Sequence, residues 1–494
     1  MKILLVIFCC LSTASVSASS LIIKNVNVIS TIDGQISRNM NVLIENDSIK
    51  QVSHQSISQH IHQQVIDGTN KYLIPGLIDS HVHLAKVPGM NGGHKRKNPE
   101  LAEAYLTQQP RSYLYFGYTT VIDLNEFSPK HIANFKNAPL HPDVYTCSQH
   151  LDIANGHGMF EEDPKTRLQN NPNFLYDHYQ AQILQDQVDV SKHTAKETVG
   201  RIKDAGSVCI KTYYENGYGG SEMADYDIPT PDIIRDVVVE GRKLNIPTVL
   251  HGNSWESYRF ALLTDVDIIG HGLWHWGEYR HAKSVPPAIQ ETLKEIAKRK
   301  IGYQPTLHAL NSQRNLFDSD YLENDDVIKA YPKELIEWYK SKDGKWFQSR
   351  IKQYFPSHMQ NYDNETMYQL FDKYLTHTGQ ALKAISDFGG NLLLGTDTII
   401  GQSFANAPGY SGYEEMQEWR RFGVPLSSIL KAATIGNAKA FKLDDQYGTV
   451  EAGKVANLLL LTTNPLEKVE AYNNIDTVII RGRVIKRSDL AADF

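Results

Sequence analysis

The sequence predicts an α/β protein: a (β/α)8, TIM-like barrel joined to a small β-sandwich formed by both ends of the chain. Three observations predict it. First, apolar, β-branched segments recur through the middle of the chain: "TTVIDL" from Thr119, "DVYTCSQ" from Asp143, "SVCIKTYY" from Ser207, "IPTVLHG" from Ile246, "VDIIGHG" from Val266, "IGYQPTL" from Ile301 and "NLLLGTD" from Asn391. Amphipathic stretches such as "PDIIRDVVVEGRKLN" and "PPAIQETLKEIAKRK" separate several of them, a pattern of parallel strands covered by helices. With the strand that ends at His81 the count reaches eight, the number that closes such a barrel. Second, short alternating strands broken by Asp-Gly and Asn-Asp turns run from Leu21, and a similar texture returns in "YGTVEAGKVANLLLLTTNP" and "IDTVIIRGRVIK". Third, no Gly-rich dinucleotide fingerprint follows any strand, which weighs against an open doubly wound sheet.

Taken in order, the N-terminus "MKILLVIFCCLSTASVSASS" has Lys2, an apolar run and then small residues, so 1–18 is expected to be a signal peptide cut after Ala18. The expected location is exported, periplasmic or secreted. No later stretch approaches the roughly 18 uninterrupted apolar residues of a membrane span, so no integral membrane association is expected. Residues 19–74 and 446–494 are expected to form the composite sandwich, and 75–445 the barrel. The interval 308–386 is too long for a simple connection, and its Tyr/Trp/Phe-rich helical texture suggests an inserted cap over the barrel mouth.

The net charge of −6 over 494 residues is mild. The main basic cluster, "HKRK" at His94–Lys97, is expected to be a solvated loop, so no nucleic-acid partner is expected. Cys9 and Cys10 leave with the signal segment; Cys147 and Cys209 are expected to be two buried thiols, with a single bond between them left open.

In a barrel of this kind the chemistry sits at the C-terminal ends of the strands. "LIPGLIDSHVHL" delivers His81 and His83 there on one face, because alternate residues of a strand point the same way. Buried imidazoles are poor core material but good metal ligands. His60 and His62 share the spacing, yet sit in a Gln-rich polar stretch and are expected to be solvated. Lys211, His251, His271 and Asp397 fall at the ends of four further strands. Each alone has an ordinary structural explanation; six such residues from five strands, in matching positions, do not.

"PGLIDSHVHL", "GYTTVIDL", "IKTYY", "VLHG", "IIGHG", "LLLGTDT" and the closing "AATIGNAKAFKLDDQYGTVEAGKVANLLLL" together resemble the amidohydrolase superfamily, in its imidazolonepropionase-like and prolidase-like branch. The resemblance covers the mature chain, the 308–386 segment least well. It implies a binuclear centre of two divalent metal ions, usually zinc, with His81, His83 and Asp397 on one ion and His251 and His271 on the other. Lys211 would bridge them as a carboxylated lysine. A hydroxide shared by the ions would attack the substrate, and Asp397 would act as catalytic acid/base. For substrate contacts the resemblance points to His157, in "ANGHG" after the third strand, and Tyr214, soon after Lys211, is a second candidate by position. A mixed nitrogen and oxygen site also accepts manganese, cobalt or iron. Two departures stand out: Gly252 where alanine is common, and Asn457 where aspartate is usual.

The expected function is hydrolysis of an amide-type C–N bond in a small molecule, a dipeptide or N-acyl amino acid first. A lactonase or phosphotriesterase on the same centre and a non-catalytic binding protein on the same barrel are the alternatives. The state of association, including a homo-oligomer, is left open.

Overall fold

The structure is a computed structural model that describes residues 20–492 apart from 60–62, 126–127, 148, 160–162, 164, 185–187, 216–225 and 400–401. The expected signal segment and the His60/His62 pair lie outside the described residues.

The first five strands are β1 (Ser20–Ile29), β2 (Ile36–Glu45), β3 (Ser48–Ser53), β4 (Gln64–Asp67) and β5 (Tyr72–Pro75). Eight strands of the central region follow: β6 (Leu77–Val82), β7 (Tyr118–Asp123), β8 (Asp143–Thr146), β9 (Ile210–Tyr213), β10 (Thr248–His251), β11 (Ile268–Gly270), β12 (Gly302–Gln304) and β13 (Asn391–Leu392). The chain ends with β14 (Leu458–Leu461), β15 (Ile475–Ile480) and β16 (Arg483–Lys486).

Strands from both ends form one sheet in the order β16-β15-β14-β5-β1-β2-β3, with β4 also paired to β1. The sandwich expected from the sequence is therefore one continuous sheet. Register shifts along β1 at Ile23/Val26 and Val26/Val28 mark irregularities of the kind that bend a strand. Its inner face packs Leu21, Ile23, Val42 and Ile44 from the N-terminal part against Leu458, Leu460 and Ile479 from the C-terminal part. Loop contacts reinforce this closure: Ile49 N donates to Lys454 O at 2.9 Å, and Ala456 N to Asp47 O at 2.7 Å.

The central strands pair in parallel as two arcs, β6-β7-β8 and β9-β10-β11-β12-β13. Backbone hydrogen bonds join the arcs at both edges. On one side Ser80 N donates to Leu394 O (3.1 Å), Asp397 N to His81 O (2.8 Å) and His83 N to Thr398 O (2.7 Å). On the other, Val208 N donates to Thr146 O (3.0 Å) and Leu151 N to Lys211 O (2.8 Å). The result is a ring of eight parallel strands. The covering helices bury one stripe each: Pro231–Lys243 buries Ile234, Val237, Val238 and Gly241, and Pro287–Lys298 buries Ile289, Leu293, Ile296 and Ala297. This i, i+3, i+4, i+7 spacing is the signature of a helix lying on a sheet.

Asn457 ties the terminal sheet to the barrel. Its Nδ2 donates to Asp143 Oδ2 at 2.8 Å, and its Oδ1 accepts from Arg481 N at 2.8 Å. Tyr447 also donates to Asp143 Oδ2 at 2.8 Å. An aspartate at 457 would set a second carboxylate against Asp143 and lose this donor; the amide supplies one donor and one acceptor where both are needed.

The cysteines depart from expectation. Cys147, one residue beyond β8, and Cys209, one residue before β9, form a disulfide with Cα atoms 4.6 Å apart, and neither is a free thiol lining the site. The reason is topological: the two lie 62 residues apart, and only closure of the ring sets these strands side by side. The bond spans the seam where β8 and β9 share few ladder hydrogen bonds. Replacing both cysteines by serine is expected to lower the unfolding free energy by up to about 4 kcal/mol, the chain-entropy value for a loop of this length, read as a lower denaturant midpoint.

Candidate metal centre

All of β6 is buried, and Asp79 fixes its end. The Asp79 carboxylate accepts from His81 N (3.2 Å), Thr396 N (3.1 Å) and Thr396 Oγ1 (2.7 Å). It thereby couples the strand that carries His81 and His83 to the segment that carries Asp397. Asp123, at the end of β7, accepts from Leu84 N and Asn125 N, each at 2.9 Å, and steadies the turn after His83.

Asp397 is the hub. Its Oδ1 lies 3.0 Å from His83 Nε2 and 3.3 Å from His81 Nε2, and its Oδ2 lies 3.6 Å from His271 Nδ1. Lys211 Nζ is 3.5 Å from His81 Nε2. Ligand-capable atoms of His81, His271 and Asp397 all fall within 4.8 Å of one another. The His251 ring is next to that group, its centroid 4.5 Å from His271. Gly270 makes room for the lysine, since a Cβ there would come within 3.2 Å of Lys211 Nζ. Three residues at this rim hold left-handed backbone: His271 (φ 97°), Thr306 (φ 41°) and Asp397 (φ 60°). Such strain persists only where surrounding structure enforces it; Thr306 Oγ1 stands 3.1 Å from His271 Nδ1.

Burial pushes the His81 and His271 imidazoles well below their ordinary range, and lowers His83 as well. Neutral imidazoles are what a metal requires. Burial likewise lowers Lys211 to about 8. Three imidazoles thus crowd one carboxylate without carrying the charge that would balance it. Among the described residues, His81 Nδ1 has no hydrogen-bond partner although its ring is fully buried. A divalent cation supplies the missing positive charge and suits a nitrogen and carboxylate donor set. The residues fit a metal.

His157 lies in a short 3-10 turn, and its ring stacks on His251 at 4.9 Å. Burial, then the neighbouring His251, lowers it to about 3. Tyr214 is placed away from this group. Its ring packs on Phe260 of a covering helix at 4.7 Å, because alternation along β9 turns Lys211 and Tyr213 inward and Tyr214 outward. Tyr213 is the tyrosine of the site, its ring 5.2 Å from His251 and 5.7 Å from His157.

Sequence reasoning also passed over Asp79, Asp123, Glu215 and Thr306. Asp79 had a readable signal, standing two residues before His81 on the same face of an apolar strand. Asp123 closes "TTVIDL" in the position that the other strand-end residues hold. Asp79→Ala is expected to cost at least about 2 kcal/mol, since three buried donors lose their acceptor. Chemical denaturation should show that loss, together with weaker retention of bound metal.

Residues 356–485 match the model of the amidohydrolase family. Over 65 residues the chain is 45% identical to a 5-methylthioadenosine/S-adenosylhomocysteine deaminase of Dictyoglomus turgidum, a match that spans 13% of this chain and only 15% of that relative. Among solved structures, a Xaa-Pro dipeptidase with bound methionine superposes with a TM-score of 0.63 at 17% identity, covering 95% of this chain and 100% of the other. A prolidase complexed with N-methylphosphonate-L-proline gives 0.64 at 17% identity, with coverage of 95% and 100%. These structural likenesses carry the fold, and the sequence match carries the C-terminal quarter of the chain. The likeness to the amidohydrolase family thus rests on residues 356–485, and the chain has the fold of the Xaa-Pro dipeptidase and prolidase structures.

Proposed function

We propose that the chain is an exported metal-dependent hydrolase of an amide-type C–N bond, with dipeptides or N-acyl amino acids as substrates. The observation that carries this reading is the convergence of His81, His83 and His271 on the Asp397 carboxylate within 3.6 Å. His81, His83 and Asp397 would hold one ion, His251 and His271 the other, and Lys211, as its carbamate, would bridge them. Two divalent ions bound there, zinc foremost, would activate water and polarise the substrate carbonyl.

The chain's own groups then have separate tasks. Asp397 accepts a proton from the attacking water and gives it to the leaving nitrogen; the water oxygen bonds to the carbonyl carbon, and the C–N bond breaks to an acid and an amine. His157, uncharged because it is buried, donates a hydrogen bond to a substrate carbonyl or carboxylate oxygen. Lys211 reacts as the free amine with carbon dioxide, forming a carbamate and releasing one proton. The choice of dipeptides follows the Xaa-Pro dipeptidase and prolidase likenesses. Export rests on the N-terminal apolar segment, and the Cys147–Cys209 bond is in keeping with an oxidising compartment.

Purified protein is expected to contain divalent metal and to hydrolyse members of a dipeptide and N-acyl amino acid panel. Chelation should abolish turnover, and Asp397→Asn should cut kcat by at least about a hundredfold. Turnover confined to lactones or phosphotriesters would overturn the C–N assignment, and protein that neither binds metal nor hydrolyses any panel member would overturn the whole reading.

The lysine makes a second, pH-dependent prediction. Its free-amine fraction falls about tenfold for each pH unit below 8, so carbamate formation is favoured as pH rises through that value. Metal reloading of chelated protein should therefore be promoted by bicarbonate, and more strongly at about pH 8.5 than at about pH 6.5. Lys211→Ala should remove the bicarbonate dependence, measured by metal content after desalting.

A further inference from the structure

Glu215 stands four residues beyond Lys211 and is 3% exposed. None of the tasks above uses it. Its Oε2 lies 3.2 Å from His251 Nε2 and accepts from Asn253 Nδ2 at 2.8 Å. Asn253, 1% exposed, is itself anchored: its backbone carbonyl accepts from Trp274 N (2.8 Å) and His275 N (3.0 Å) in the loop beyond β11. Glu215 thus sits on a fixed support and points one oxygen at a single ring nitrogen. The His251 ring is confined on other sides, with His157 stacked on it at 4.9 Å and His271 edge-on at 4.5 Å.

We propose that Glu215 is a positioning residue for the metal centre: it holds His251 by Nε2, so that Nδ1 is the nitrogen presented to a divalent cation. A neutral imidazole carries one N–H, and an ionised carboxylate can only accept. Pairing with Glu215 places the proton on Nε2 and the lone pair on Nδ1. The same contact raises the basicity of the ligating nitrogen and prevents the ring from flipping, as carboxylate partners of metal-bound histidines do. Asn253 acts at one further remove, keeping the Glu215 oxygen in line. The inference rests on the metal reading above, and it assigns to Glu215 no contact with substrate.

The test is a cobalt(II) titration of chelated, full-length protein, followed by visible absorption, in wild type, Glu215→Gln, Glu215→Ala and His251→Ala. Wild type should take up two equivalents. Glu215→Ala should weaken one equivalent by about tenfold to a hundredfold and change its visible bands, approaching His251→Ala, while the other equivalent binds as before. Glu215→Gln should restore part of the loss, because its amide oxygen still accepts from Nε2. Wild-type affinity and spectrum in Glu215→Ala would overturn the proposal. Equal weakening of both equivalents, with an apoprotein that unfolds at markedly lower temperature, would overturn it too, showing a merely structural role. Wild-type protein that takes up no cobalt would instead overturn the metal reading beneath it.

Discussion

Everything at the barrel mouth depends on the seam between β6 and the segment that follows β13. Three backbone hydrogen bonds, at Ser80, His83 and Asp397, run between residues more than three hundred positions apart. Asp79 adds two more across the seam through its side chain, both from Thr396. The seam sets the two histidines of the first strand beside the aspartate of the last. A close approach of backbones is required, and Gly395 provides it: a Cβ there would come within 2.7 Å of His81 Cβ. Without this juncture the strand ends would still be polar, but they would not share one carboxylate.

The interior is arranged in layers that make the polar cluster tolerable. Below the site, Ile78, Ile122, Val249, Ile268 and Leu393 fill the ring together with the Cys147–Cys209 bond. Gln304 bridges the layers, donating to Ser80 Oγ at 2.7 Å and Ser80 O at 3.0 Å. Buried polar groups are expensive unless paired, and the Gln304 amide nitrogen is paired in this way. The imidazoles above it are kept neutral by burial around an acceptor that needs a positive charge. That imbalance lies where a cation would be held.

Much of this was legible in the sequence because strand and helix have different periods. Eight apolar segments and the amphipathic helices between them fix the ring, and the residue ending each strand then falls at one rim. His81, His83, Lys211, His251, His271 and Asp397 were readable for that reason alone. What failed was anything that depends on register or on distant pairing. Tyr214 and Tyr213 are neighbours in sequence, and one residue of phase decides which of them faces the site. Cys147 and Cys209 meet only because β8 and β9 become neighbours across a seam. Glu215 had no period to announce it, standing just past a strand end in a stretch that composition alone leaves open.

The segment between β12 and β13 is tied to the site's rim. Glu415, on the helix after Asp397, accepts from Leu307 N (3.0 Å), His308 N (2.6 Å) and Trp419 Nε1 (2.7 Å). It therefore caps the helix that opens the insertion, directly after the strained Thr306 that stands against His271. Arg314 extends the link, pairing with Asp372 of the long helix Asn364–Asp387 at 2.6 Å and with Glu418 at 2.8 Å. A buried ion pair of this kind adds little net stability, but it penalises any arrangement that separates its partners. The insertion is thus held to the two strand ends that carry Asp397 and His271. Displacing it would disturb the backbone next to both side chains, so the segment between β12 and β13 also acts as part of the frame that orients the site.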